Sequence, residues 1–157
     1  MIVSHDYKFI FLKTQKTAGT SIEIALSRFC GADDIITPIT PNDEKIRTEL
    51  GYRAPQHYLS PLRDYNHRDI TRFLLKGKRK KRFYNHIPAR EVRALVGTQC
   101  WDSYFKFCFE RNPWDRVISL YYWLHKSESR PTILEFVESE ASLILKHLNK
   151  DVYMING

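Results

Sequence analysis

Long apolar runs are missing from this 157-residue chain, and none approaches the length that a bilayer-spanning helix needs. No membrane segment is therefore expected, and the first clear strand candidate begins so soon after Met1 that no signal peptide fits before it. Cysteine is scarce as well: Cys30, Cys100 and Cys108 are odd in number and form no CxxC pair. That argues against a disulfide framework or a cysteine-based zinc site and for reduced thiols, hence a cytoplasmic location. Acidic residues are outnumbered, 18 against 25 Lys and Arg, which leaves a formal charge of +7 and a pI near 9.4. Such a balance favours an anionic partner or simply a solvated basic surface. Internal repeats and low-complexity segments are absent too. With 43% hydrophobic residues, the chain is expected to fold as one domain over residues 1–157 with a real core.

Several familiar signatures are also lacking. The Walker A pattern GxxxxGK[ST] places lysine directly after its last glycine, whereas here Lys16 precedes Gly19 by three positions. GxGxxG, HExxH and GxSxG do not occur. What is present is "KTQKTAGTSIEIAL", Lys13 to Leu26, between an apolar stretch and an amphipathic one. The preceding "YKFIFLK" (Tyr7 to Lys13) is short, aromatic and β-branched and reads as a mostly buried strand. Ile22, Ile24, Ala25 and Leu26 then continue to Phe29 with helical patterning. The first N–H groups of such a helix have no intrahelical partners, and they attract anions, phosphate above all. Amides and the hydroxyls of Thr20 and Ser21 would grip one phosphate while Lys16 neutralises a neighbouring bridging oxygen. An ordinary strand-to-helix loop with a solvated lysine is the alternative.

The strand, loop, helix order recurs. "SYFKFCFE" (Ser103 to Glu110) alternates as a strand, and "RNPWDRVISLYYWLHK" follows with Asn112 as N-cap, Pro113 at the first helical position and Asp115 completing a capping-box-like pair. Two strands each followed by a helix predict an α/β fold with a parallel sheet flanked by helices. Between the two units, Gly31 to Pro61 reads as irregular surface structure with one short helix around Asp43 to Leu50. Further short helices are expected at Asp69 to Leu75 and within "PAREVRALVG" (Pro88 to Gly97), separated by the basic loop "KGKRKKR" (Lys76 to Arg82). That loop either attracts a sulfated or phosphorylated acceptor or is a solvated face. Past the second unit, a helix is expected from Ile133 to Leu148, and "DVYMING" reads as a strand entering a turn. Trp114, Val117, Ile118, Tyr121 and Tyr122 recur at helical spacing and read as core. Arg116 either reaches a phosphate or pairs on the helix surface with Asp115 or another acid.

Together the two loops carry a resemblance. "KTQKTAGTSIE" resembles the 5′-phosphosulfate loop of sulfotransferases that use 3′-phosphoadenosine 5′-phosphosulfate (PAPS), and "FERNPWDRVISLYYW" (Phe109 to Trp123) resembles their 3′-phosphate motif. The likeness runs from Tyr7 to about Gly157 and is strongest to soluble and Golgi-type carbohydrate sulfotransferases, whose fold is related to P-loop nucleotide kinases. It implies a donor site made by Lys16, Thr17, Ala18, Gly19, Thr20 and Ser21 for the 5′ end, with Arg111 and Ser119 for the 3′-phosphate. Seven residues separate Asn112 from Ser119, about two helical turns, so the serine shares the face of the cap. Two departures stand out. Gln15 occupies the position where many members have proline, and relatives continue beyond "YMING", so an edge of the core and part of the acceptor site are expected to be missing.

The resemblance implies sulfuryl transfer from PAPS, with 3′-phosphoadenosine 5′-phosphate (PAP) as product, to an acceptor hydroxyl of the carbohydrate class. By analogy with phosphoryl transfer, the protein would position the reactants and stabilise charge on the leaving phosphate oxygen, a task assigned to Lys16. The base assigned is His86, because "YNHIPAREVRALVG" resembles the family segment with a histidine ahead of a short helix; a structural or acceptor-positioning role is its alternative. Fixed cations and amides make a metal unnecessary, and no nucleic acid partner is expected. Two other classes remain open, a P-loop-type kinase and a non-catalytic polyanion-binding module.

Overall fold

The computed structural model describes residues 1–139 and 149–155. Among these residues four short strands form one sheet: β1 (Ile2–Ser4), β2 (Phe9–Phe11), β3 (Ile35–Ile36) and β4 (Phe105–Phe107), in the order β3-β1-β2-β4. Only β2 and β4 run parallel, with Phe9 opposite Phe105 and Phe11 opposite Phe107. β1 is antiparallel to both β2 and β3. The sheet is therefore mixed, which corrects the expectation of a parallel one. The reason lies before Tyr7, where a strand not recognised in the sequence turns back through four residues, with Lys8 at φ 53°, onto β2. So short a connection joins antiparallel neighbours only.

Adjacent residues of the strands face opposite ways, and both faces are covered. Val3 and Ile10 join Phe83, Ile87, Val92 and Trp101 on one side. Ile2 and Phe11 pack with Cys30 and Ile36 on the other, against Ile22 and Leu26 of α1 (Gly19–Ser27). Burial on both faces explains why these strands are almost uninterruptedly apolar.

Several helices begin where local capping chemistry puts them. α2 spans Pro41–Glu49 behind the Thr40 cap, and α3 (His67–Lys76) has a capping box of Asn66 and Asp69 and ends at left-handed Gly77. α4 (Ala89–Val96) runs from Pro88 to Gly97, as its sequence predicts. The chain turns at once into α5 (Thr98–Ser103), which was not foreseen. In α6 (Pro113–Leu124) the Asn112 side chain accepts from Trp114 N–H at 3.0 Å, while Asp115 faces Arg111 instead of completing a capping box.

Two expectations near the C-terminus need correction. α7 covers Ile133–Glu138 and stops at Ser139, which is extended; the rest of the helix expected to reach Leu148 lies outside the described residues. The segment read as a strand contains a short helix, α8 (Lys150–Tyr153), whose Val152 is buried in the sheet cluster beside α4. Tertiary packing has overridden the β preference of its valine and tyrosine. The reading of the α6 stripe as core also fails in part. Leu120 and Tyr121 pack on Phe136 of α7, but Trp114 is 75% exposed and Ile118 and Tyr122 are exposed as well. Among the described residues, no helix is long and apolar enough to cross a membrane.

Candidate functional site

Parallel pairing of β2 with β4 brings the loops that follow them to the same sheet edge, the usual place for a ligand in an α/β fold. They are fastened together: Leu12 N–H donates to Phe107 O at 2.9 Å, and Thr14 Oγ1 donates to Phe109 O at 2.5 Å. The first loop then winds tightly into α1, with Lys16 at φ 62° and Ala18 at φ 58°, left-handed conformations that cost non-glycine residues about 1–2 kcal/mol each. Gly19 is dictated by close approach. A Cβ there would lie 2.9 Å from Lys13 Cγ and 3.1 Å from Thr14 O. α1 has no side-chain cap and no acid in its first turn, and its first intrahelical bond is Ile22 N–H to Ala18 O at 3.2 Å. The amides of Gly19, Thr20 and Ser21 precede that bond and are the unpaired donors of a helix start.

A cleft of about 420 Å³ opens above this loop. Lys16, Ala18, Gly19, Thr20, His86, Arg111 and Ser119 all line it, so seven of the nine residues named from sequence meet in one place. Thr17 and Ser21 do not line it. The Thr17 side chain is buried, its hydroxyl 2.9 Å from Thr14 Oγ1 and 3.3 Å from Thr14 O, so it braces the loop from inside. Ser21 lies on the exposed side of α1.

Cationic groups converge on the cleft. The Lys16 ammonium sits 5.2 Å from the centre of the Trp123 ring, and partial burial together with the Arg111 charge lowers its pKa. Arg111 has an ion-pair partner in the exposed Asp115, at 4.0 Å. Arg116, for which a phosphate contact was one option, pairs with Glu110 at 3.1 Å, the surface-pair option.

His86, also in the cleft lining, stands at φ 58° with Nδ1 2.9 Å from Lys13 O. A carbonyl only accepts, so Nδ1 carries the proton and Nε2 keeps its lone pair. Burial lowers the His86 pKa; the bond to the Lys13 carbonyl opposes this and the Lys13 charge reinforces it. Burial therefore favours the neutral imidazole, the form a base requires.

Sequence reasoning missed the layer beneath. Lys13, which lines the cleft yet is only 4% exposed, has its Nζ 3.0 Å from Glu23 of α1. Glu23 is fully buried, with the Met1 amine at 3.0 Å, Arg47 at 3.7 Å and a 2.9 Å hydrogen bond from Thr37. Burial alone would raise its pKa, but the neighbouring positive charges and their hydrogen bonds prevail and lower it. Asn85, next to His86, donates to Pro38 O at 3.0 Å and has its carbonyl oxygen 3.4 Å from Lys13 Nζ. A glutamate on the buried face of a helix was the one available signal. Asn149 also touches the loop and left no local signal.

Among comparisons with known proteins, the family model gives the class. A family model described as the sulfotransferase family matches residues 1–151. Over 55 residues, the chain is 44% identical to an uncharacterized protein of Archaeoglobus fulgidus, a match covering 34% of this chain and 46% of that protein. The chain thus matches less than half the length of this relative. No solved structure matches.

Proposed function

This chain belongs to the sulfotransferase family, and from that premise we propose that it transfers a sulfuryl group from PAPS to a hydroxyl, on a carbohydrate by family resemblance. One observation carries the donor assignment: the Lys16 loop, Arg111 and Ser119 line a single cleft at the ends of the two parallel strands. Its volume falls within the range of small-molecule sites, roughly 300–1,000 Å³. The unpaired amides that open α1 suit the 5′-phosphate, and the close approach at Gly19 keeps side-chain bulk out of that cradle. Arg111 and the Ser119 hydroxyl suit the 3′-phosphate.

In the proposed reaction the bond between sulfur and the bridging phosphate oxygen breaks and one between sulfur and the acceptor oxygen forms. Lys16 stabilises charge on the leaving phosphate oxygen, and His86 Nε2 takes the acceptor proton. The described residues contain no group of three or more His, Cys, Asp or Glu placed to hold a metal ion, and no step here calls for one.

PAP should therefore stabilise the protein against heat, and AMP, which lacks the 3′-phosphate, much less, since a charge-assisted hydrogen bond is worth about 1.5–3 kcal/mol. Equal thermal shifts from the two nucleotides would remove the 3′ assignment. Arg111→Ala should weaken PAP by about tenfold or more in a titration; unchanged affinity in a folded variant would take Arg111 out of the site.

A second reading, a polyanion-binding module, draws on a separate basic cleft of about 360 Å³. Arg72, Lys78, Arg79 and Lys81 line it, with Lys80 already paired to Asp69 at 2.7 Å. That reading predicts salt-sensitive binding of a polyanion that survives Lys16→Ala.

A further inference from the structure

Asn149 reaches the donor loop from 134 residues away along the chain. Its carboxamide closes on the main chain of one residue: Oδ1 accepts from Gln15 N–H at 2.6 Å, and Nδ2 donates to Gln15 O at 3.1 Å. Both main-chain polar groups of Gln15 are thereby satisfied by a side chain that is itself 4% exposed. The clasp is anchored from behind. Asn149 O accepts from Val152 N–H at 2.9 Å, and Val152 is buried in the sheet cluster. Asn149 stands at φ 80°, a left-handed conformation that asparagine tolerates better than most residues.

The neighbours of Gln15 explain what the clasp does. Thr14 is tied to Phe109 O and to Thr17, so the loop is pinned at 14, 15 and 17. Lys16 lies between these pins, itself left-handed, and its ammonium is carried to the Trp123 side of the cleft. The direction in which Lys16 leaves the loop follows from the orientation of the peptides on either side of Gln15, one of which the Asn149 carboxamide holds by its N–H and the other, the one leading into Lys16, by its C=O.

We propose that Asn149 is a positioning residue of the donor site: by clasping Gln15 it holds Lys16 toward the cleft. This rests on the reading of the cleft as a PAPS site.

The test pairs two measurements on Asn149→Gly, which keeps the left-handed backbone accessible and removes the carboxamide. In the ligand-free protein, amide exchange at Gln15 should rise about tenfold or more while β1 and β2 stay protected. Asn149→Asp retains an acceptor for the Gln15 N–H and should keep that amide protected, a rescue that general loosening would not give. PAP affinity, titrated calorimetrically, should fall about tenfold in Asn149→Gly and fall no further when the change is added to Lys16→Ala. Unaltered exchange at Gln15, unaltered PAP affinity, or losses that simply add to those of Lys16→Ala would each overturn the proposal. Failure of the wild-type protein to bind PAP would instead bring down the donor-site reading, and the positioning role with it.

Discussion

His86→Ala is expected to cut sulfuryl-transfer turnover by about a hundredfold or more, the usual scale for a lost general base, while leaving PAP affinity nearly intact. The split follows from the proposed division of the cleft. Lys16 and Arg111 face the donor in the ground state as well as during transfer, so Lys16→Ala should lower both turnover and donor affinity. The His86 imidazole is oriented by Lys13 O through Nδ1, which leaves Nε2 for the acceptor. Radiolabelled donor and a screen of carbohydrate, phenol and tyrosyl acceptors would supply the assay. Full turnover in a folded His86→Ala variant would move the base elsewhere.

The pH dependence has a definite sign. Burial lowers the His86 pKa below its ordinary value of 6.5, so the neutral base persists to lower pH than an unperturbed histidine would. Turnover should hold level through neutrality and decline only on the acid side of that value. Folding is linked in the same direction. Below pH 6.5 the unfolded chain takes up the proton more readily than the folded one, so this histidine erodes stability as pH falls toward its folded pKa and has no effect well above 6.5.

The other large effect concerns folding. Glu23→Ala should destabilise the protein by about 3–5 kcal/mol, the cost of breaking a buried ion pair from one side. Lys13 and Arg47, both buried, would keep their charges and lose the carboxylate at 3.0 and 3.7 Å, and the Thr37 hydroxyl would lose its acceptor. Urea unfolding of Glu23→Ala and Glu23→Gln separates charge from volume. Glutamine keeps most of the bulk, so a large loss in both variants assigns the effect to charge, and a change below about 1 kcal/mol in either would exclude the cluster as a support of the fold. Because the Glu23 pKa is lowered, its stabilisation is present above the ordinary value of 4.5 and disappears as pH falls through the folded pKa. The same residue bears on the site. Lys13, which Glu23 holds, carries the carbonyl that orients His86, so loosening this buried layer should also disturb the pH profile of turnover.

What the sequence by itself determined is local. The Asn112 cap with Pro113 behind it and the Pro88 and Gly97 limits of α4 involve groups within a few residues of one another. Their hydrogen bonds form wherever the chain places them, and so the sequence alone located these helices and the two strand-loop-helix units. What only the tertiary structure decided depends on partners far apart in sequence. It made β2 and β4 parallel neighbours, set β3 beside β1 and left Trp114 at the surface. It also buried Glu23 against Lys13 and Arg47 and brought Asn149 onto Gln15. Each of these contacts forms only after loop-closure entropy has been met by burial of the two sheet faces. Propensity and periodicity describe a residue's neighbours along the chain and contain no term for that closure.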